Sequence, residues 1–414
     1  MAIGILSALW ASLTSGAYRS KACVTSNLTE SPVMNEAPDA ALAARLDPIL
    51  DTALAEAKIV GAVVLVARKG KLAYARAAGQ SDREADRAMS LDTIFRASSL
   101  TKPIVTAAVL SLVEDGVLGL DDPVIRWLPD FQPTYEGQAP TLTLRHLLTH
   151  TAGLSYGFMQ AANGPYLQAG VSDGMDQPGL GFPEELRRIS QAGLTFPPGA
   201  AWLYSVGMDV MGAVVEAATG RTLPEVVAER VTRKLAMADT GFAVTDRARL
   251  AVAYADGSPP QRMGDTHTVP FAELSGIKFA PDRIFDAASF PSGGAGMACS
   301  APDMLAFLEA IRSGGGPVVS AETAGDMMTN QTGDHLIITS GPGWGFGFGG
   351  AVVLDPEPSA SHLPAGAWTW AGVYGHSWFV APASQTTFVL MTNTSTEGMS
   401  GQTASDLAAA AVAG

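Results

Sequence analysis

The stretch Phe95-Arg96-Ala97-Ser98-Ser99-Leu100-Thr101-Lys102-Pro103-Ile104 constrains this chain more than any other. The residues before it read as extended backbone, and the apolar run 104–113 after it has helical spacing. Ser99 therefore falls where a loop enters a helix. There its backbone N–H belongs to the unpaired first turn, close to the positive end of the helix dipole. The i, i+3 spacing puts the Lys102 amine on the same face as the Ser99 hydroxyl. Pro103 removes no intrahelical donor from a first turn. An alcohol is a weak nucleophile at neutral pH and needs a base beside it. A lysine kept from water can take that part. Ser-x-x-Lys alone is a weak signal, because it recurs by chance and a serine at a helix start is most often a cap.

A chain of 414 residues exceeds one simple core, so two lobes or one large domain with an insertion are expected. With 47% hydrophobic and 16% charged residues it must fold rather than stay disordered. A formal net charge of −14 with no basic run argues against a nucleic-acid or anionic-membrane partner. The two cysteines, Cys23 and Cys299, are not expected to form a structural disulfide, and they give no sign of an oxidising compartment. Neither C-x-x-C nor H-E-x-x-H occurs, and no glycine-rich phosphate loop follows a strand, so no metal or cofactor is expected.

Residues 1–40 read as a flexible extension or a degenerate signal. Residues 3–13 are mildly apolar, but no lysine or arginine precedes them. Met34 is an alternative start. The expected location is cytoplasmic, or periplasmic if the extension is a signal. No later segment is long and apolar enough to span a membrane.

Further along, 41–57 has the pattern of an amphipathic helix, and 60–67 and 72–77 that of a hairpin around Lys69-Gly70. Residues 116–260 look helical and loop-rich, with helices at 143–150, 183–191, 209–219 and 223–235. Strands return afterwards at 344–354, 367–370, 376–380 and 386–392, with helices at 301–312, at 320–330 and from Gln402. The expected division is 41–100 with 260–414 as an α/β domain, and 101–259 as a mostly helical domain. The two ends should share one sheet, since each alone has too few strands.

Two more motifs carry chemistry. Trp202-Leu203-Tyr204-Ser205 follows Pro197-Pro198-Gly199 and precedes a helix, a place from which a phenol can reach a pocket and relay a proton. The bland alternative is a half-buried tyrosine packing its ring. Trp370-Ala371-Gly372-Val373 resembles a glycine-rich edge strand, where small residues permit close approach to the backbone. A backbone N–H there, paired with that of Ser99, would make an oxyanion hole.

Taken in order, Ser-x-x-Lys, Tyr-Ser after a Pro-Gly turn, and Trp-x-Gly resemble the family VIII carboxylesterases of the EstB type. These share the fold of class C β-lactamases and penicillin-binding proteins. The similarity covers roughly residues 41–414 and includes His146–Leu154, Pro291–Met297 and Gly375-His376-Ser377-Trp378-Phe379. The resemblance implies an antiparallel sheet flanked by helices with a helical insertion. It implies that Ser99 is acylated, that Lys102 and Tyr204 move its proton, and that the N–H groups of Ser99 and Val373 hold the oxyanion. Trp370, Ala371 and Gly372 would line the substrate, with His376 and Trp378 nearby. Two departures follow from the same comparison. Val206 replaces the asparagine, and Trp370 the lysine, that recognise a β-lactam. Both favour small, neutral, short-acyl esters.

Other motifs read as decoys. Gly153-Leu154-Ser155-Tyr156-Gly157 matches G-x-S-x-G, but a helix precedes it where a nucleophile elbow needs a strand. His146 and His150 have i, i+4 spacing without a third ligand, so a structural role is expected. His376 is read as orienting a substrate or fixing its strand. Arg312, Lys69 and the scattered acids read as solvated surface. The leading expectation is thus a serine carboxylesterase acting on a small-molecule ester. The alternatives are a β-lactamase or D-amino-acid peptidase, a penicillin-binding protein that acylates with slow turnover, and an acyltransferase. The sequence leaves the oligomeric state open.

Overall fold

The computed structural model describes residues 39–413 apart from Thr245 and Glu273. Cys23 and almost all of the supposed extension lie outside the described residues. Asp39 starts the first helix, α1 (Ala40–Ala55), by accepting hydrogen bonds from the N–H groups of Ala41 and Leu42. Strands β1 (Gly61–Arg68) and β2 (Lys71–Asp82) then form a hairpin. Its turn places Lys69 at φ 52° and Gly70 at φ 78°, the pair of positive angles that suits the strands' own twist. β2 runs on past 77 because it pairs with the whole of β1 and then with β3 (Arg87–Ala88).

The remaining elements that frame the site are β4 (Ile94–Arg96), α2 (Thr101–Glu114), α3 (Leu144–Leu148), α4 (Phe182–Ala192), α5 (Gly207–Thr219), β5 (Ala298–Ser300) and α6 (Ala301–Arg312). The chain finishes with β6 (Trp344–Phe346), β7 (Ala351–Val353), β8 (Trp368–Gly372), β9 (His376–Ala381), β10 (Thr386–Thr392), α7 (Ser395–Ser400) and α8 (Gln402–Val412). Eight strands make one sheet in the order β6-β7-β8-β9-β10-β1-β2-β3, and its neighbours pair antiparallel. The two ends of the chain meet at its centre, where Ala62 faces Thr392 and Arg68 faces Thr386. β4 pairs with β5 outside this sheet.

Burial explains why β1 reads as an unbroken apolar run. Val63, Leu65 and Ala67 face inward to α2 and α6, while Ala62, Val64 and Val66 face outward to α1 and α8. A strand covered on both faces loses the polar alternation of a half-exposed one. The inner cluster continues without a break from the sheet through α2 and α5. A boundary after residue 100 would part Ser99 from Lys102 within one turn.

Several sequence expectations change in detail. The run 344–354 is two strands, because Gly347–Gly350 turns the chain, with Gly347 N–H on Gly350 O at 2.8 Å. Helix 223–235 stops at Val227 and continues as a π-helical turn, Ala228–Thr232. The helix expected over 143–150 ends at Leu148, and His150 takes φ 57°. His146 and His150 therefore do not share a helix face. His146 accepts from Thr143 N–H in a capping box, whereas His150 turns inward.

Arg312 is not solvated either. It forms a bidentate pair with buried Glu309, which also accepts the Thr387 hydroxyl. The scattered acids include several that are enclosed, Glu185 and Asp209 among them. Cys299 is a buried free thiol beside the Thr240 hydroxyl at 3.1 Å. No helix among the described residues is long and apolar enough to cross a membrane.

Leu46 on α1 is wholly buried in the outer cluster. Leu46→Ala should cost about 2–5 kcal/mol, seen as a lower denaturant midpoint with an unchanged slope. Because the cluster lies across the sheet from Ser99, the folded variant should keep its catalytic rate.

Candidate active site

Ser99 sits in a 3-10 turn, Ser98–Leu100, that runs directly into α2. The first hydrogen bond of the turn joins Leu100 N–H to Ala97 O at 3.1 Å, so the Ser99 N–H lies ahead of it. Ser98 is held at φ 44°, a costly angle for a residue with a side chain. It is fully buried, and its Oγ accepts from the N–H of Tyr374 at 3.4 Å. Strand β8 ends against this turn. A side chain at Gly372 would meet Ser98 Oγ at 2.5 Å and Ala97 O at 2.9 Å. The glycine here thus lets one part of the protein approach another.

Lys102 is almost completely buried one turn below Ser99. Its Nζ donates to Ser99 Oγ at 3.3 Å and to Gly294 O at 2.8 Å. It also lies over the rings of Tyr204 and Tyr156, at 4.6 and 5.2 Å from their centroids. Gly294 is fixed in turn by Asp209, whose Oδ1 accepts from Gly294 N–H at 3.1 Å and Ser292 Oγ at 2.5 Å. Asp209 stands in the first turn of α5.

Tyr204 reaches the same point from the other side. Its hydroxyl donates to Ser99 Oγ at 2.7 Å and accepts from Trp370 Nε1 at 3.2 Å. The rings of His150, Tyr156 and Trp370 surround it at centroid distances of 4.9, 5.0 and 5.1 Å. Burial holds the His150 imidazole well below its usual range, so a neutral ring packs on Tyr204 with Nδ1 3.2 Å from Ser205 Oγ.

A cavity of about 510 Å³ opens from Ser99, Tyr204 and Trp370, with Phe158 and Phe271 also on its wall. Among the described residues no aspartate, glutamate, lysine, arginine or histidine lines it. Of the residues singled out in the sequence, Ser99, Tyr204, Trp370, Ala371, Val373 and Trp378 reach the wall. Trp378 contributes little, being buried against Trp368 with centroids 4.5 Å apart. Lys102 lies behind Ser99, and Gly372 faces Ser98.

His376 is not brought to the cavity. Its Nε2 donates to Arg96 O at 2.8 Å, its ring packs edge-on to Phe95, and burial pushes it down to about 4. It fixes the backbone leading into Ser99. Val206 is also absent from the wall and lies in the hydrophobic core. Ser155 is enclosed, with its hydroxyl on Tyr156 O at 3.1 Å, and the chain after it makes a 3-10 turn. β8 is not an edge strand over its whole length. β7 pairs with Trp368 and Thr369, and only Trp370–Gly372 is free on that side.

Sequence reasoning missed the scaffold around Lys102. The run Pro291-Ser292-Gly293-Gly294 carried the signal, since a side chain at Gly293 would sit 2.3 Å from Met208 O. The indole donor on Tyr204 left no signal beyond the tryptophan itself.

An antiparallel sheet packed between helices, with Ser-x-x-Lys heading a buried helix, defines the class of β-lactamase-like and transpeptidase-like folds. The chain belongs to the beta-lactamase family, whose model matches residues 46–413. It is 49% identical over 366 residues to esterase EstB of Burkholderia gladioli, covering 87% of this chain and 93% of the relative. The solved structure of EstCE1, described as a hydrolase with promiscuous acyltransferase activity, superposes with a TM-score of 0.87 at 43% identity. That match covers 91% of this chain and 99% of the other. A penicillin-binding protein from Bacillus halodurans shares the fold, with a TM-score of 0.64 at 21% identity over 87% of this chain and 97% of its own.

Behind Asp209 the structure buries further acids. Glu185 is wholly enclosed on α4, with Oε2 accepting from Ser172 N–H at 3.1 Å and Oε1 without a partner. Burial, with Asp209, Asp176 and Asp173 nearby, pushes its carboxyl up from 4.5 to about 9. The unfolded carboxyl releases its proton near 4.5 and the native one near 9, so between them the native state binds the extra proton and stability falls as pH rises. Glu185→Gln should remove that slope. Denaturation at pH 8 should show a gain of at least about 1 kcal/mol, shrinking toward pH 5.

Proposed function

We propose that the chain is a serine carboxylesterase for neutral esters, working through an acyl-enzyme on Ser99. The observation that carries this reading is a serine hydroxyl 2.7 Å from Tyr204 and 3.3 Å from Lys102, facing a cavity on whose wall no described residue is charged. Similarity to esterase EstB and to the hydrolase EstCE1 supports it.

In this reading Ser99 Oγ attacks the ester carbonyl carbon. Its proton passes to the Lys102–Tyr204 pair. The carbonyl oxygen becomes an oxyanion between the N–H groups of Ser99 and Val373. Val373 follows the strand end that abuts the Ser99 turn, and the next N–H, that of Tyr374, is the one Ser98 Oγ takes up. The C–O bond to the alcohol breaks, and the pair returns the proton to the leaving oxygen. Water then attacks the acyl-enzyme by the same route and frees the acid.

Trp370 Nε1 meets the phenol oxygen where negative charge develops during proton transfer. Removing such a donor commonly costs a factor of ten or more in kcat. A β-lactam carboxylate would have to leave water for a wall on which no described residue is a cation, which disfavours efficient β-lactam turnover.

Initial rates on p-nitrophenyl butyrate and nitrocefin test the assignment. Ser99→Ala should lose ester turnover by about 10³-fold or more, and Ser155→Ala should keep it. Nitrocefin should be turned over poorly by the wild type. Ester turnover lost in Ser155→Ala alone, or nitrocefin turned over as fast as the ester, would overturn the reading. Separately, Trp370→Phe should lower kcat by about tenfold with a smaller change in KM.

A further inference from the structure

The cavity does not end beside Ser99. Its wall includes residues from both faces of the sheet. Trp370 and Trp378 belong to the inner face, with the core around α2. Phe379, Phe388 and Leu363 belong to the outer face, with the cluster under α1 and α8. The crossing lies where β8 has no neighbour on one side, from Trp370 to Gly372. Beyond it the outer face of β9 and β10 meets α8, which presents Ala404, Ser405 and Ala408 to the cavity. Three small residues at i, i+1 and i+4 leave space unfilled between that helix and the sheet, and this space is the groove.

We propose that this groove is a subsite for an extended alkyl arm of the ester, which passes over the free end of β8 and lies between the outer face of the sheet and α8. The proposal rests on the esterase reading of Ser99. Three observations favour an alkyl arm. The floor carries the rings of Phe379 and Phe388 with Leu363 and Ala371, and the hydroxyls of Thr369 and Ser377 stand beside them. Among the described residues no charged side chain lines any part of the cavity. A volume of about 510 Å³ falls in the range of about 300–1,000 Å³ of small-molecule sites, while a two-carbon acyl group beside Ser99 fills only a small part of it. The expected preference for short acyl groups is thereby widened to esters that carry one long arm.

Ser405→Trp and Ala408→Phe each fill the groove from the partly exposed side of α8. Each full-length variant is compared with wild type on p-nitrophenyl acetate, hexanoate and decanoate, and on hexyl and decyl acetate. Thermal melting confirms that each is folded. The expected result is a fall of at least about tenfold in the decanoate-to-acetate ratio of kcat/KM. A fall confined to the p-nitrophenyl series places the acyl chain in the groove, and one confined to the alkyl acetates places the alcohol there. Unchanged ratios in both series for folded variants would overturn the proposal. Failure of wild type to hydrolyse p-nitrophenyl acetate would instead overturn the esterase reading beneath it.

Discussion

Burying Lys102 is the constraint to which the rest of the site answers. A long polar side chain in the core needs partners for its amine, whatever its protonation state. Here they are one hydroxyl, Ser99 Oγ, and one carbonyl, Gly294 O, with two tyrosine rings against its faces. A carboxylate in direct contact would hold the amine as an ion pair and blunt it as a base. Asp209 instead stands one peptide away and grips Gly294 through its N–H. Its charge acts on Lys102 through space while its geometry aims the carbonyl. The cost of that arrangement is a carboxylate with Oδ2 buried and unpartnered, raised in pKa by its own burial.

The same economy of contact sets the other half of the site. Strand β8 is placed by its ladder to β9, with Gly372 opposite His376. The His376 ring then reaches across to Arg96 O, just ahead of the Ser99 turn. One residue thus ties the hairpin whose turn carries Val373 to the backbone that carries Ser99. Gly372 allows the two to touch, and strained Ser98 closes the join through Tyr374 N–H. The two proposed oxyanion donors are therefore held by sheet register and by packing, so no flexible loop has to set their spacing.

Much of this was legible in the sequence, and the exceptions share a cause. Ser99, Lys102 and Tyr204 announce themselves through local rules, a spacing of three on a helix and a tyrosine between a Pro-Gly turn and a helix. The hairpin, the helices that flank the sheet and the meeting of the chain ends follow from periodicity and strand count. What escaped depends on contacts between distant segments. Arg312 reads as surface until Glu309 and Thr387 close around it. His376 reads as near a substrate until the register of β9 turns its ring toward Arg96. His146 and His150 read as one helix face until the helix stops at Leu148. The free end of β8 is invisible locally, because it is set by where β7 stops pairing.

Charge placement joins the fold to substrate choice. The chain carries a net −14, yet its described acids lie at the surface, in the enclosed group around Glu185 and Asp209, or paired in the core like Glu309 with Arg312, and none of them lines the cavity. Val206 sits in the core, and Trp370 spends its one donor on Tyr204, so neither offers a group to an anionic substrate. A charged ligand would lose its hydration and find only hydroxyls, indole and hydrocarbon in return, a penalty of several kcal/mol. A neutral ester loses far less and gains the apolar wall. Selectivity of this kind is set by what the wall withholds, and a single substitution cannot easily undo it: one new cation would have to be buried among aromatic rings that have no counter-charge to offer.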